Sequence, residues 1–424
     1  MSERIEVGLR RVPELDRAAP LPASDPDLVA IIAAEIRARG PMTFARFMEL
    51  ALYEPEHGYY VRGGSSGPGR TGDFLTAPEG DPIFGWALSR RLERVWDALD
   101  RPARFVVREH GAGRGALAVA ILDGLRRSAS PLLEAIRYQG IERSAAASEA
   151  LESAVAAAGL GRHLEPPNER PEIGVVLANE LLDALPVHRI EGLPDGAVGE
   201  RYVTLGEPAP TKSAAPGMAA PDPASPSFRE RLGAPSTPRL ARRLADEGVT
   251  LHPGQVAEVC LTVDDRIAGA SASLERGLIL LIDYGAPAGE LYAPSRGSTL
   301  RAYGGHRVHD DPFVAIGRQD LTAHVDLTAV ERAAERNGLD VLRRAKQGEY
   351  LAGLGLGELL VGLQSGPDAD LGRYLAARSA VVRLLDPRAT GGFAVLELGR
   401  GLPGKPRDLP ARHPASPGRS RSRR

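Results

Sequence analysis

Four short strand-like segments, separated by longer helical stretches, place the strongest limit on how this chain can fold. They are "RFVV", "YQGIE" (138–142), "IGVVLAN" (173–179) and "GLILLID" (277–283). Continuous apolar runs of this kind are typical of parallel strands that are buried on both faces of a sheet. Because helical patterns alternate with them, we predict an open, doubly wound α/β sheet.

The composition excludes several classes of protein. With 424 residues, 43% of them hydrophobic, the chain can bury a large core. This length favours two or three domains, or one large α/β domain with insertions. A formal charge of −2 gives no overall field for nucleic acid or for an anionic membrane. The single cysteine, Cys260, excludes a disulfide framework and a cysteine metal cluster.

We expect a cytoplasmic protein, without membrane insertion, because two kinds of membrane-directing signal are not found in the sequence. No apolar run reaches the roughly 18 residues that a membrane span needs. Residues 1–20 contain acids and no continuous apolar core, which argues against a secretory signal.

The sequence divides into four predicted regions. Residues 1–25 are predicted to be a disordered arm, and 401–424 a disordered basic tail. Residues 26–103 are predicted to form a helical region with an active-site loop, and 104–400 the α/β domain. Within that domain, 205–240 is rich in Pro, Ala and Ser and is predicted to be a disordered insertion.

The N-terminal region is predicted to contain three helices. Asp25 and Thr43 are placed to cap the first two, and the apolar residues after Pro82 follow helical spacing. A Gly-rich stretch with "GDFLTAPE" (72–79) separates the second helix from the third. Loops commonly carry chemistry, so Asp73 and Glu79 are candidate catalytic residues; a plain flexible loop is the alternative.

The segment "REHGAGRGAL" (108–117) follows the first strand and begins a helix, where free N–H groups favour a ligand. Its glycines, Gly111, Gly113 and Gly115, do not have the spacing of a dinucleotide site, whose third glycine comes one residue later. No Lys-Ser or Lys-Thr follows, which excludes a Walker loop. The alternative to a ligand site is a plain tight turn.

Two acids near this turn favour a ligand without phosphate. Glu109 would repel a pyrophosphate but suits an ammonium group, as in S-adenosylmethionine. Glu142 comes at the end of the second strand, where a carboxylate is placed to accept both ribose hydroxyls. We therefore predict a cofactor site for S-adenosylmethionine at the turn.

The segment "LANELLDALPV" (177–187) follows the third strand, and ligand crevices lie at the carboxyl ends of such strands. Asn179, Glu180 and Asp183 are therefore expected at the mouth of the same crevice. If 180–183 form a helical turn, the two carboxylates share one face and are able to hold a cationic acceptor. In the alternative, Asn179 caps a helix and both acids are solvated.

Seven motifs occur in the order seen in the MidA-like class I methyltransferases, and from about Met42 to Phe393 the chain resembles that family. The motifs are "GDFLTAPE", "FG" (84–85), "EHGAGRG", "ANELLDALPV", "LLIDYG", "TLRAYGGHR" and "QDLTAHVD". The mitochondrial members of the family are complex I assembly factors that methylate an arginine of a complex I subunit. The resemblance implies a Rossmann-like doubly wound sheet with an N-terminal helical extension, and a protein acceptor that presents an arginine.

The resemblance also implies roles for individual residues. Contacts to S-adenosylmethionine are implied for the glycine turn and its neighbours: Glu109, Gly111, Ala112, Gly113, Gly115, Glu142 and Asn179. The acids in the active-site wall are Asp73, Glu79, Glu180 and Asp183, which would orient a guanidinium and accept its proton. The chain departs from the family at His110, usually Leu, and at "GDP" (80–82), beside the acceptor site. No metal site is predicted.

Two rival functions remain open at this level. One is a methyltransferase of the same fold that acts on a small molecule, because a fold does not determine the acceptor. The other is a non-catalytic assembly protein that binds a partner through its N-terminal helices.

Overall fold

A computed structural model of the chain describes residues 21–61, 80–206, 226–305, 307–365 and 370–402. Its helices are α1 (Pro26–Arg39), α2 (Phe44–Tyr53), α3 (Ile83–Ala98), α4 (Ala116–Arg127), α5 (Leu132–Ala135), α6 (Ala145–Ala157), α7 (Arg239–Asp246), α8 (Val263–Ala272), α9 (Ala288–Leu291), α10 (Leu327–Arg336), α11 (Gln347–Gly353), α12 (Leu356–Ser365) and α13 (Leu371–Leu385).

The strands of the described chain form four sheets. They are β1 (Met42–Thr43), β2 (Phe105–His110), β3 (Ile136–Ile141), β4 (Glu172–Asn179), β5 (His188–Gly192), β6 (Val198–Leu205), β7 (Phe228–Gly233), β8 (Val256–Val259), β9 (Leu274–Asp283), β10 (Gly285–Ala286), β11 (Arg301–Gly304), β12 (Arg307–His309), β13 (Asp320–Thr322), β14 (Val325–Asp326), β15 (Asp340–Lys346) and β16 (Ala394–Arg400).

The central sheet has six strands in the order β3-β2-β4-β9-β16-β15. The first four of these are parallel, whereas β16 runs antiparallel to β9 and β15 antiparallel to β16. The carboxyl ends of β2 and β4 lie side by side, with His110 opposite Ala178. Asn179 lies opposite Ile282 of β9. The predicted doubly wound α/β sheet is confirmed, and its four parallel strands end at one edge.

Helices cover both faces of this sheet and bury it. One apolar core lies against α3, α4 and α6, and a second lies against α8 and α10. Helices α3 and α4 approach closely because both have a glycine at the contact, Gly85 and Gly124. Helix α3 lies inside the predicted 26–103 region, yet it packs in the core of the central sheet.

A second, antiparallel sheet was not predicted. It has the order β1-β6-β5-β8, with β7 paired to β6. Strand β7 lies inside the range 205–240, so the prediction of a disordered insertion is wrong for residues 226–240. This strand has few apolar residues, and its pairing is stabilised by ion pairs from Glu230 to Arg189 and Arg201.

Helices α1 and α2 pack against the second sheet and β13. Both predicted caps are present: Asp25 Oδ1 accepts from the N–H groups of Asp27 and Leu28, each at 3.1 Å, and Thr43 Oγ1 accepts from Arg46 N at 3.2 Å. Residues 21–25 are not a disordered arm, because Leu21 and Asp25 are buried. Among the helices that the structure describes, none has the length and apolar character needed to cross a membrane.

Candidate active site

The glycine turn joins β2 to α4 in a conformation that requires glycine. Gly111, Gly113 and Gly115 have φ values of 71°, 53° and 84°, a region that other residues seldom adopt. A Cβ at Gly115 would lie 3.0 Å from the Cα of Leu151, whereas a Cβ at Gly113 would meet no atom of the described residues within 4 Å. No side chain in the described part of the chain caps α4, so its first N–H groups are available to a ligand.

The structure brings Glu142 to this turn, as the sequence predicted. Its Oε1 atom accepts a hydrogen bond from the backbone N–H of Gly113 at 2.6 Å, and Oε2 accepts from the N–H of Arg143 at 3.1 Å. Burial raises the pKa of this carboxyl above its usual value, and the two backbone hydrogen bonds partly oppose that shift. A carboxylate held at the end of β3 beside a glycine turn is placed to accept ribose hydroxyls.

Glu109 and Ala112 are part of the packed base of the turn. The carboxylate of Glu109 is buried and accepts a hydrogen bond from the hydroxyl of Tyr138 at 2.6 Å. Burial raises the pKa of Glu109 to about 8, so the group is largely neutral at pH 7. Ala112 is buried in the core shared with α3 and α4.

The segment after β4 does not form the helical turn that would place Glu180 and Asp183 on one face. Instead, three successive N–H groups converge on one carboxylate oxygen, Oδ2 of Asp283. The distances are 3.2 Å from Leu181, 2.8 Å from Leu182 and 3.3 Å from Asp183. Asp283 therefore offers this backbone an alternative to helical hydrogen bonding.

Asp183 is the acid whose environment most favours a bound cation. Its side chain is buried, and its Oδ1 atom has no hydrogen-bond partner among the described residues. Burial raises the pKa of Asp183 to about 6, although the nearby Tyr284 hydroxyl and backbone N–H groups favour the ionised form. Burial and the charge of Asp183 also raise the pKa of Asp283 well above its usual range. A guanidinium here would favour the ionised form of Asp183 and offset the cost of burying it.

Asn179 and Glu180 lie between the cofactor turn and Asp183 in the sequence, at the end of β4. Asn179 donates from Nδ2 to Oε1 of Glu180 at 3.2 Å, and its buried Oδ1 atom has no partner in the described chain. Glu180 has a φ of 49°, a strained conformation for a residue with a side chain, and such strain is found mostly at functional sites. Because no helix begins in residues 180–187, Asn179 does not cap one.

Three other residues singled out in the sequence have different outcomes. Asp73 and Glu79 lie outside the described residues, so their predicted roles remain predictions. His110, at the end of β2, has a buried Nε2 atom without a hydrogen-bond partner in the described part of the chain. Burial lowers the pKa of His110 to about 4, so the imidazole is neutral at pH 7.

Several aromatic and acidic groups near Asp183 were not predicted as site residues. The ring of Tyr284 lies 5.3 Å from that of His324, measured between ring centroids. Tyr53 donates from its hydroxyl to the carbonyl oxygen of Ala184 at 2.9 Å. Asp320 is buried and accepts a hydrogen bond from Tyr60. The motifs "LLIDYG" and "QDLTAHVD" contain Tyr284, Asp320 and His324, and Tyr284 at the end of its strand is placed either to line the pocket or to end the strand; Tyr53 and Tyr60 lie in none of the seven motifs.

Together, the parallel sheet, the open glycine turn and the acid hydrogen-bonded to that turn define a Rossmann-like protein that binds a nucleoside cofactor at its sheet edge. The family model described as "Putative S-adenosyl-L-methionine-dependent methyltransferase" matches residues 87–345. The chain belongs to this methyltransferase family, and its cofactor is S-adenosylmethionine. The open face at Gly113 and the unpartnered Oδ1 atom of Asn179 fit that ligand.

Known proteins similar to this chain support the assignment. The protein arginine methyltransferase NDUFAF7 homolog of Drosophila melanogaster is 30% identical, with 72% of this chain and 70% of that protein covered. The human protein arginine methyltransferase NDUFAF7 is 28% identical, with 79% and 75% covered. A COG1565 superfamily protein from Burkholderia thailandensis, crystallised with S-adenosyl-homocysteine, is 32% identical with a TM-score of 0.77, covering 91% of this chain and 96% of that one.

The predicted cytoplasmic location is wrong. The relatives from Drosophila melanogaster, mouse and human are all named as mitochondrial proteins, which points away from the cytoplasm. The prediction rested on the absence of a membrane span and of a secretory signal, and neither observation distinguishes the cytoplasm from the interior of an organelle.

Proposed function

We propose that this methyltransferase transfers a methyl group to the guanidinium of an arginine in a protein. The observation that carries the proposal is the buried carboxylate of Asp183, whose Oδ1 atom has no partner among the described residues. A buried carboxylate oxygen without a hydrogen-bond partner is costly, and a guanidinium supplies both a charge and N–H donors for it. The names of the relatives, protein arginine methyltransferases, support the same acceptor.

In this proposal, the turn from Gly111 to Gly115 holds the cofactor against the N-terminus of α4. Glu142 exchanges its bond with Gly113 for the ribose hydroxyls, and Asn179 contributes its unpartnered Oδ1 atom. Glu109 lies beneath the turn, where an ammonium group nearby would favour its ionised form. The bound cofactor supplies a methyl group on a sulfonium, so the protein needs mainly to align the acceptor.

Asp183 and Glu180 then act on the acceptor. A carboxylate that accepts two N–H groups of a guanidinium leaves the third nitrogen oriented toward the cofactor. The guanidinium loses a proton as it is methylated, and a neighbouring acid accepts it. Asp183 suits this role because its pKa is raised to about 6. Asp283 accepts three backbone N–H groups of the segment that contains Asp183, and these hydrogen bonds hold that backbone in place.

For the acceptor protein, we propose a subunit of a respiratory complex I type, as the family resemblance implies. A small-molecule acceptor and a non-catalytic assembly role are the outcomes that would replace this proposal. The two can be distinguished by separate measurements of cofactor binding and of methyl transfer.

The first measurement is titration calorimetry of the purified chain with S-adenosylmethionine, beside Gly113→Val. Valine at a φ of 53° is strained, so we expect cofactor binding by the wild type and its loss in the variant. Absence of binding by the wild type would support the assembly role and contradict the enzymatic one.

The second measurement is transfer of tritiated methyl groups to proteins of a cell extract, followed by acid hydrolysis and separation of the amino acids. We expect tritium in methylarginine, and loss of that signal with Asp183→Asn although cofactor binding is retained. Tritium confined to small molecules, or to another amino acid, would contradict the proposed acceptor.

A further inference from the structure

Three tyrosines from outside the cofactor-binding strands lie beside Asp183. Tyr53 ends helix α2, Tyr60 follows seven positions later, and Tyr303 belongs to β11. The rings of Tyr53 and Tyr60 are stacked, with centroids 5.5 Å apart and planes inclined by 19°. The Tyr53 hydroxyl donates to the carbonyl oxygen of Ala184, the residue after Asp183, at 2.9 Å. The stacked rings of Tyr53 and Tyr60 therefore form an aromatic wall next to the proposed acceptor site, and Tyr303 lies in the strand paired with Asp320.

A second buried carboxylate, Asp320, lies against this wall. The hydroxyl of Tyr60 donates to Oδ1 of Asp320 at 2.9 Å, and Asp320 is the cross-strand neighbour of Tyr303. A backbone hydrogen bond from the N–H of Ala323 to the carbonyl oxygen of Asp183, at 2.9 Å, ties the two acid-bearing segments together. Asp320 and Asp183 thus reach one region from two different parts of the fold.

The charges of both carboxylates act on the same phenols. Burial raises the pKa of Tyr53, and the charges of Asp320 and Asp183 raise it further. Burial likewise raises the pKa of Tyr303, again with contributions from Asp183 and Asp320. Both carboxylates therefore contribute negative potential at the aromatic wall, which suits a cationic ligand; the charges of Arg143 and Arg266 at Tyr53, and of Arg301 at Tyr303, oppose it in part.

The face of Tyr53 already carries a guanidinium. The Cζ atom of Arg143 lies 4.7 Å from the centroid of the Tyr53 ring, within the range of a cation–π contact. Arg143 follows Glu142, the carboxylate at the cofactor turn, and is exposed. This face of Tyr53 thus accommodates a guanidinium, and an acceptor guanidinium that stacks there takes the place of Arg143.

We propose that Tyr53, Tyr60, Tyr303 and Asp320 form a subsite that recognises the acceptor guanidinium and selects arginine over lysine. This inference rests on the proposed function and adds the groups that determine its specificity. A planar guanidinium can stack on the wall while it donates to carboxylates at its edge. A lysine ammonium is compact and strongly hydrated, so it gains less from both contacts. Asp320 acts here in recognition, whereas Asp183 faces the reacting group.

The test uses the full chain saturated with S-adenosyl-homocysteine, titrated calorimetrically with N-acetyl-arginine amide and, separately, with N-acetyl-lysine amide. We expect the arginine probe to bind about tenfold more tightly than the lysine probe, the scale of one cation–π contact in a desolvated site. Asp320→Asn should weaken arginine binding by a similar factor and reduce the difference between the probes. Asparagine keeps an oxygen that accepts the Tyr60 hydroxyl, so the variant is expected to fold.

Two further variants separate recognition from structure. Tyr53→Phe keeps the ring and should retain arginine binding, whereas Tyr53→Leu should lose it. Asp97→Asn is the matched control. Asp97, near the end of α3, forms an exposed ion pair with Arg101, so this variant should behave as the wild type. Retained binding of S-adenosyl-homocysteine and unchanged thermal unfolding establish that each variant is folded.

Equal affinity of the wild type for the two probes would overturn the inference, and this comparison needs no variant. Unchanged arginine binding in both Asp320→Asn and Tyr53→Leu would overturn it as well. Failure of the wild type to bind S-adenosyl-homocysteine would instead contradict the proposed function, so the two failures are distinguishable.

Discussion

The Oε1 atom of Glu142 lies 2.6 Å from the backbone nitrogen of Gly113. This hydrogen bond joins the end of β3 to the turn after β2, so the two parts of the cofactor site are already in contact. In the proposed cofactor site, an entering cofactor exchanges this bond for its own hydroxyl groups. Glu142 is therefore oriented before binding, which reduces the cost of ordering it.

Replacement of Glu142 by Ala should weaken the binding of S-adenosylmethionine by about 10- to 100-fold, because hydrogen bonds to a charged group are worth about 1.5–3 kcal/mol. Titration calorimetry measures the change directly. Glu152→Ala is the control, since Glu152 is exposed on α6 and should bind as the wild type does. An unchanged dissociation constant in Glu142→Ala would show that the ribose is held by other groups.

The pH dependence of methyl transfer should report the ionisation of Asp183. Its pKa is raised to about 6 by burial, and only the ionised form holds a guanidinium. As pH falls through 6 the carboxyl becomes protonated, so kcat/KM should decrease about tenfold per pH unit below that value. Because the carboxyl groups of Asp183 and Asp283 interact, the apparent pKa in such a profile belongs to the pair and not to Asp183 alone. Measurement of kcat/KM from pH 5 to pH 8 with an arginine acceptor tests this prediction. A kcat/KM that does not decrease below pH 6 would contradict it.

Glu109 should make the fold less stable as pH rises. Its folded-state pKa of about 8 lies above the ordinary value of 4.5, so between these pH values the folded state binds more protons than the unfolded state. The contribution of Glu109 to the free energy of unfolding is therefore fully present below pH 4.5. It decreases between pH 4.5 and pH 8 and does not change further above pH 8.

Glu109→Gln should remove this decline, because glutamine stays neutral and still accepts a bond from Tyr138. From pH 5 to pH 8, the free energy of unfolding should decrease more in the wild type than in the variant. The expected difference is about 3–4 kcal/mol. Urea unfolding at both pH values measures it, and parallel changes in the two proteins would show that Glu109 is ionised throughout.

The cofactor half of the site could be predicted from the sequence because its signals are local. An apolar strand, three alternating glycines and a helix are consecutive, and that order specifies the turn. Glu142 followed from the end of the next strand, since neighbouring parallel strands end at one edge. The segment 180–183 was less predictable, because the interaction that prevents a helical turn comes from Asp283, about 100 residues later in the chain.

Asp183 and Glu180 were predicted, but the tyrosines and Asp320 of the proposed acceptor site could not be, because tertiary packing assembles them. Tyr60 and Asp320 are 260 positions apart, and Tyr53 lies 131 positions from Ala184. No periodicity relates such residues, and each of the tyrosines is equally consistent with an ordinary core position. Strand β7 was missed for a related reason: ion pairs with other strands stabilise it, and those partners are not visible in its own composition.

The contact between α3 and α4 should depend on the absence of a side chain at Gly124. A Cβ there would lie 2.6 Å from Oγ of Ser89 and 2.9 Å from the Cα of Trp86, and the backbone atom cannot move without separating the helices. Gly124→Ala should therefore destabilise the fold by about 1–3 kcal/mol, although alanine favours a helix. Gly269→Ala in α8 is the matched control: its Cβ meets nothing within 4 Å, so it should stabilise by up to about 1 kcal/mol. Thermal unfolding measures both, and equal shifts in the two variants would contradict the close approach of the helices.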